Sequence, residues 1–330
     1  MKTVVLAHGD VVDLLPIGEC IELMEEALGM LARGEVHQPL RSLVRASGSP
    51  RGFLGLMPGW RGGEKPFWGL KEICLFPGNP AVGLDTHLGV VLLHSGETGE
   101  LLAIVEASAV TAIRTAAVTA VATRLLARAD ASELAIVGTG VQARSHLGAI
   151  AAVRTLRRVR VAGRTPEKGR EFAQRMQPDF PAPIEPMETV EQAVRGADLV
   201  VTATSSREPV LRAEWIAPGA HVNLVGSSVK GAREADGPTM AAARLFVDRR
   251  ESTENESGDY LMAIAEGAIG PDHIVAEIGE VLLDPRRGRR SEDEITMFKS
   301  LGLAIEDLAA AARLWENAKR TRRGTWIDLL

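Results

Sequence analysis

The residues best placed by type and spacing to do chemistry begin at Gly138-Thr139-Gly140-Val141-Gln142-Ala143. A short apolar run from Leu134 to Val137 enters this glycine turn, and helical spacing follows through Ala143, Leu147 and Ile150. Strand, turn and helix in that order make the crossover that binds dinucleotides, with Ala143 in its third small position. Gly138 permits a tight turn, and Gly140 keeps a Cβ away from an approaching pyrophosphate. The helix N-terminus offers free N–H groups and a partial positive charge. Gly138 to Ala143 are therefore the expected cofactor-binding residues. The plainer reading is a glycine turn between two core elements.

The next strand, Arg158–Ala162, ends in Gly163-Arg164-Thr165. NAD-preferring folds usually place an acid near this point to accept the ribose 2′-OH. No acid stands here, and a guanidinium and a hydroxyl are available for a 2′-phosphate. Arg164 and Thr165 thus predict NADP(H) in preference to NAD(H). Alternatively, Thr165 only caps the following helix, with Pro166 at its first position and Arg164 in solvent.

Four further positions carry charge in contexts that strain a purely structural account: Arg41, Lys71, Arg114 and Asp236. Lys71 lies in the apolar run Trp68–Leu75, and Arg114 interrupts the apolar run Val110–Val118. A buried lone charge costs several kcal/mol, so each of these needs a partner. Against this, Lys71 on alternation alone reads as an edge-strand lysine facing water. Arg114 reads as a cation snorkelling from a helix end, Arg41 as a common strand-start arginine, and Asp236 as a loop carboxylate. Taken together, three cations and one acid suit a small carboxylate substrate held beside a nicotinamide. The seven histidines show no metal-ligand spacing, so no metal is expected.

Elements that would position these groups can be read along the chain. At 330 residues, with 45% hydrophobic and 25% charged residues, two domains with real cores are expected. A formal net charge of −5 gives no reason to expect nucleic acid. The basic cluster Arg286–Arg290 runs straight into Ser291-Glu292-Asp293-Glu294, as a solvated loop would. Two cysteines, Cys20 and Cys74, make no disulfide framework. The N-terminal stretch meets acid too early for a signal peptide and no apolar stretch looks long enough to span a bilayer, so a cytoplasmic protein is expected.

One opening helix starts at Pro16 and is stopped by Gly34, with strands at 41–44, 53–57, 68–76 and 90–93. An Ala-rich helix over 109–129 leads into the glycine turn, after which strands and helices alternate: helix 166–176, a Thr189/Gln192 capping box, and strands at 198–204, 221–226 and 245–248. A last amphipathic helix spans 305–319. The expected class is α/β, a doubly wound Rossmann sheet over 115–304 plus an α+β domain over 1–114, to which 305–330 returns.

Longer strings sharpen this. Gln38-Pro39 before Arg41, Gly69-Leu70-Lys71, Leu84-Asp85-Thr86-His87, Thr111-Ala112-Ile113-Arg114-Thr115-Ala116-Ala117, Gly226-Ser227-Ser228, Ser257-Gly258-Asp259 and Phe298-Lys299-Ser300-Leu301-Gly302-Leu303-Ala304-Ile305-Glu306-Asp307 resemble the landmarks of the ornithine cyclodeaminase/mu-crystallin family. The resemblance runs over nearly the whole chain. It implies that 1–114 is a substrate-binding and dimerisation domain, with a homodimer paired through the substrate-domain sheets, a substrate carboxylate on Arg41, Lys71 and Arg114, and a catalytic carboxylate at Asp236. It adds Thr86, Ser300 and Gly302 to the cofactor residues. The family's usual Glu-Leu-Asp reads Glu234-Ala235-Asp236 here, and the proline usual in the preceding loop is absent.

The Gly-Arg-Thr end of the second strand is similar to the NADPH-using, ketimine-reductase side of the family. The resemblance therefore implies NADPH-dependent reduction of small, cyclic 2-imino acids, with Lys71 as carboxylate ligand or acid. The alternatives are an ornithine- or lysine-type cyclodeaminase, an alanine-dehydrogenase-like oxidoreductase, and a non-catalytic ligand-binding protein on the same scaffold.

Overall fold

The computed structural model describes residues 2–46 and 52–329. The chain divides into two compact units: Met1–Thr115 with Gly302–Leu330, and Ala116–Leu301.

The first unit opens with β1 (Lys2–Leu6), α1 (His8–Leu14) and α2 (Ile17–Ala32), followed by β2 (Val36–His37), β3 (Ser42–Val44), β4 (Phe53–Arg61), β5 (Phe67–Leu75), β6 (His87–Ser95) and β7 (Leu101–Glu106). Its sheet runs in the order C-terminal strand Thr325–Asp328, β1, β7, β6, β5, β4, β2, with β3 paired to β4. Only β1 and β7 are parallel neighbours. The C-terminal helix, Ala304–Thr321, packs on β4, β5 and β6 and on α2. Alternation along β5 buries Phe67, Lys71 and Ile73 and leaves Trp68 and Glu72 exposed. Period-2 geometry thus puts Lys71 on the core face.

β5 is flanked on both sides, by β4 and β6, which overturns the reading of Lys71 as an edge-strand lysine. β7 escaped the sequence reading because no Gly or Pro separates it from α3 (Ala107–Leu126). Instead Glu106, at the strand's last position, accepts hydrogen bonds from the N–H groups of Ser108 and Ala109, capping the helix. By length and composition α3 is long and apolar enough to cross a membrane, contrary to the expectation from sequence, and 78% of its most apolar window is buried inside the protein.

The second unit contains β8 (Glu133–Val137), α4 (Val141–Val153), β9 (Arg158–Ala162), α5 (Pro166–Met176), β10 (Ile184–Pro186), α6 (Val190–Val194), β11 (Leu199–Thr202), β12 (His221–Leu224), α7 (Gly237–Ala241), β13 (Arg244–Val247), α8 (Arg250–Glu256), α9 (Gly258–Ala265), β14 (Ile274–Glu277), α10 (Ile278–Leu283) and β15 (Thr296–Lys299). The strands pair in parallel in the order β10-β9-β8-β11-β12-β15-β13-β14.

Side chains alternate between two cores. Leu134, Ile136, Leu199 and Val201 pack with Leu147 of α4 and Phe172 of α5, whereas Ala135, Val137, Val200 and Val222 pack with Met240 of α7 and Tyr260 of α9. Strands buried on both faces, with a helical layer over each, make the doubly wound α/β fold expected. The Thr189/Gln192 capping box opens α6 as read, and α5 has the bounds read from sequence.

Candidate active site

In the first unit, α3 and the C-terminal helix bring charges to the inner face of β5. Lys71 is 3% exposed, with Met57 and Val91 as its register partners on the neighbouring strands. Its Nζ donates to Asp307 Oδ1 at 2.9 Å and to Thr111 Oγ1 at 2.7 Å. Arg114 Nε reaches the same Asp307 oxygen at 3.0 Å, and its Nη1 donates to Glu306 Oε2 at 2.6 Å. Two cations therefore share two carboxylates in a dry site, which resolves the question of their partners.

Burial pushes the Lys71 ammonium down to about 8, held against a further fall by Asp307. Burial would lower Arg114 too, but Asp307 and Glu306 outweigh it and raise it. His87 is pushed down to about 4 by burial and by the nearby charges of Lys71 and Arg114, so its ring is neutral at ordinary pH. Thr86 Oγ1 lies 2.8 Å from His87 Nδ1. Arg41 stands half-buried immediately before β3. Gln38 Oε1 accepts from Ile305 N at the start of the C-terminal helix, bracing the turn that carries Glu306 and Asp307. Gly302 has φ +82°, and a Cβ there would lie 2.4 Å from Arg114 Nη1, so this position is glycine for both conformation and space.

In the second unit, the fingerprint has the expected form. Gly138 has φ +116°, and a Cβ on it would sit 2.4 Å from the Ala203 carbonyl. A Cβ on Gly140 would meet nothing within 4 Å, which leaves that side open for a ligand. Gly140 is the N-cap of α4 and makes no side-chain cap, so the first N–H groups, from Val141 onward, remain available. Gln142 Oε1 is buried with no hydrogen-bond partner, and Thr139 is half-buried beside the turn. These features fit a dinucleotide, which the N–H groups of this turn would hold through its pyrophosphate.

Arg164 and Thr165 are exposed, with Arg164 Nη2 3.5 Å from Ser205 Oγ. Thr165 is the N-cap of α5, yet its side chain makes no capping hydrogen bond. Ser300 N donates to Leu224 O, and its buried Oγ has no partner. Asp236 is the N-cap of α7: its Oδ1 accepts from Thr239 N at 2.9 Å and from the Thr239 hydroxyl. A capping role accounts for one of its two oxygens.

The sequence reading gave no role to Glu306 and Asp307, both 0% exposed. Adjacent acids at a helix start read as solvated partners of the macrodipole. The criterion applied to Lys71 and Arg114 would have found them, since both acids sit within the apolar run Leu301–Ala312. Lys299, Asp259 and Glu234, each 0% exposed, were missed in the same way.

Fold and site together define a Rossmann-type dinucleotide-binding protein with a buried cation pair on a separate α+β unit. The chain belongs to the ornithine cyclodeaminase/mu-crystallin family, matching it over residues 1–322. It is 38% identical over 297 residues to the ketimine reductase mu-crystallin of Mus musculus, covering 89% of this chain and 90% of the mouse protein. It is 33% identical to the alanine dehydrogenase of Archaeoglobus fulgidus over 328 residues, 99% of this chain and 98% of that enzyme. The Thermococcus litoralis Delta(1)-pyrroline-2-carboxylate reductase, solved in complex with NADH and L-proline, superposes with a TM-score of 0.94. Its identity is 36%, over 98% of this chain and 99% of that one.

Proposed function

We propose that this chain, an NAD(P)H-dependent oxidoreductase acting on C=N bonds, reduces small, cyclic 2-imino acids to amino acids and prefers NADPH. The observation that carries the reading is the buried Lys71–Arg114 pair on Asp307 and Glu306. The family resemblance adds Arg41, half-buried just before β3, as a third cation for the substrate carboxylate. Arg114 offers a planar fork for that carboxylate and Lys71 a compact ammonium.

When bound, the nicotinamide supplies hydride to the imine carbon. Gly138–Ala143 hold the cofactor's pyrophosphate, Arg164 and Thr165 its 2′-phosphate, and Thr86, Ser300 and Gly302 its remaining contacts. Asp236 either stabilises the iminium nitrogen as a carboxylate or relays the one proton that a neutral imine nitrogen needs as hydride reaches the carbon. Lys71, whose ammonium is pushed down to about 8, serves as carboxylate ligand and as a proton source near neutral pH.

The outer face of the first unit's sheet exposes Val44 at 54%, Trp68 at 52% and Leu88 at 37%, which supports a homodimer formed through that face. A second reading, an alanine-dehydrogenase-like oxidoreductase, is favoured by the likeness to the Archaeoglobus enzyme. NADPH and NADH oxidation with cyclic 2-imino acids, with 2-oxo acids plus ammonia, and NAD+ reduction with ornithine separates the readings. Turnover confined to 2-oxo acids plus ammonia would replace the first reading with the second, and no turnover with any substrate would leave a binding protein.

A further inference from the structure

A second buried charge cluster lies at the C-terminal ends of the parallel strands, wholly within the second unit. Lys299, the last residue of β15, is 0% exposed. Its Nζ donates to the Gly226 carbonyl at 2.6 Å and approaches the Ser227 carbonyl at 3.4 Å. It also forms an ion pair with Asp259 Oδ2 at 2.9 Å. Asp259 in turn accepts from the backbone N–H groups of Glu234 and Ala235 at 2.7 and 2.9 Å. Glu234 closes the network, accepting from Thr202 Oγ1 and Thr204 N, each at 2.7 Å.

The loop held by this cluster has no slack. A Cβ on Gly226 would lie 2.2 Å from the Thr204 carbonyl, and one on Gly258 1.9 Å from the Ala232 carbonyl. Ser227 sits at φ +55°, a conformation that a non-glycine residue holds only when its surroundings impose it. Three strand ends (β11, β12 and β15) and α9 thus meet at one ionic knot, and the two residues it grips by their N–H groups, Glu234 and Ala235, lead directly into Asp236.

Several charged groups in a dry interior cost free energy that an apolar packing would avoid. A return in precision is the physical reason to keep them. We propose that Lys299 and Asp259 are positioning residues for Asp236, fixing through Glu234–Ala235 the backbone from which that carboxylate is presented. The inference rests on the reading of Asp236 as the proton-handling acid. A role in stability alone would tie down the loop equally well, so the test must report on Asp236 itself.

A double-mutant cycle does so. Asp259→Asn keeps a carbonyl oxygen for the two N–H groups but removes the charge that holds Lys299. In the otherwise unaltered enzyme it should lower kcat about 10-fold or more and change the shape of the pH profile, with NADPH affinity unchanged by fluorescence titration. In an Asp236→Asn background the same change should cost nothing further. Equal fractional losses in both backgrounds would overturn the positioning role and leave the cluster purely structural. Full turnover in Asp236→Asn alone would overturn the reading of Asp236, and this role with it. Should Asp259→Asn melt before assay, Thr202→Val, which removes only the hydroxyl on Glu234, carries the same cycle.

Discussion

Lys71 Nζ and Asp307 Oδ1 lie 2.9 Å apart, with both side chains no more than 2% exposed. The same oxygen takes Arg114 Nε at 3.0 Å, so one carboxylate oxygen sets the spacing of both cations. Asp307 thereby fixes the geometry of the proposed carboxylate site from behind, and its charge keeps Lys71 from being driven to the neutral amine.

Substrate affinity should fall on the alkaline side. The ammonium of Lys71 prevails below about 8 and the neutral amine above it. KM for a 2-imino acid should therefore rise as pH passes 8, while NADPH affinity, whose pyrophosphate and 2′-phosphate contacts do not involve Lys71, stays flat. Asp307→Asn removes the partner that holds this proton, so the rise should begin at lower pH. Initial rates from pH 6 to 10 check both, and a KM profile shared by the two proteins would remove Asp307 from this role.

Arg114→Leu should damage the fold as well as the site. It removes the guanidinium that bonds Glu306 and Asp307 in a dry interior, where breaking a buried pair costs about 3–5 kcal/mol. A large drop in the urea midpoint is expected, together with lost imino-acid turnover. Arg114→Lys should recover more of the stability than of the turnover, because it restores the charge without the fork.

Cofactor preference should follow Arg164. Its guanidinium is exposed and, among the described residues, touches Ser205 at 3.5 Å. Arg164→Ala should raise KM for NADPH roughly 10-fold or more and leave NADH use nearly unchanged. An equal loss with both cofactors would point to support of the turn rather than phosphate recognition.

Acid should weaken the second unit through two buried histidines. Burial pushes His146 down to about 4 and His221 to about 3, so both are neutral in the folded chain. His146 Nδ1 faces the Gln142 carbonyl, which can only accept, leaving Nε2 to take the Thr119 hydroxyl. Unfolded histidines bind protons near 6.5 while these do not, so stability present above 6.5 is lost as pH falls toward 4. The loss is about 1.4 kcal/mol per pH unit for each histidine. Urea titrations at pH 7, 6 and 5 read the slope, and His146→Gln should make it shallower.

The parts of this protein legible along the chain are those whose physics is local. The strand, glycine turn and helix of 134–150 lie in one contiguous stretch, because backbone φ, missing Cβ atoms and free helix N–H groups act within a few residues. The capping box at Thr189 and Gln192 and the bounds of α5 were readable for the same reason. Lys71 and Arg114 could be singled out as charges in apolar runs, since burial without a partner is costly wherever it occurs.

Their partners could not be read. Asp307 is 236 residues from Lys71 and 193 from Arg114, and only the return of the C-terminal helix across β4–β6 places it between them. Lys299 likewise meets the Gly226 carbonyl across 73 residues because β15 inserts beside β12 in the parallel sheet. Local sequence carries the demand that a buried charge be met. Which carboxylate meets it is decided by which elements pack side by side, and that is a property of the whole folded chain.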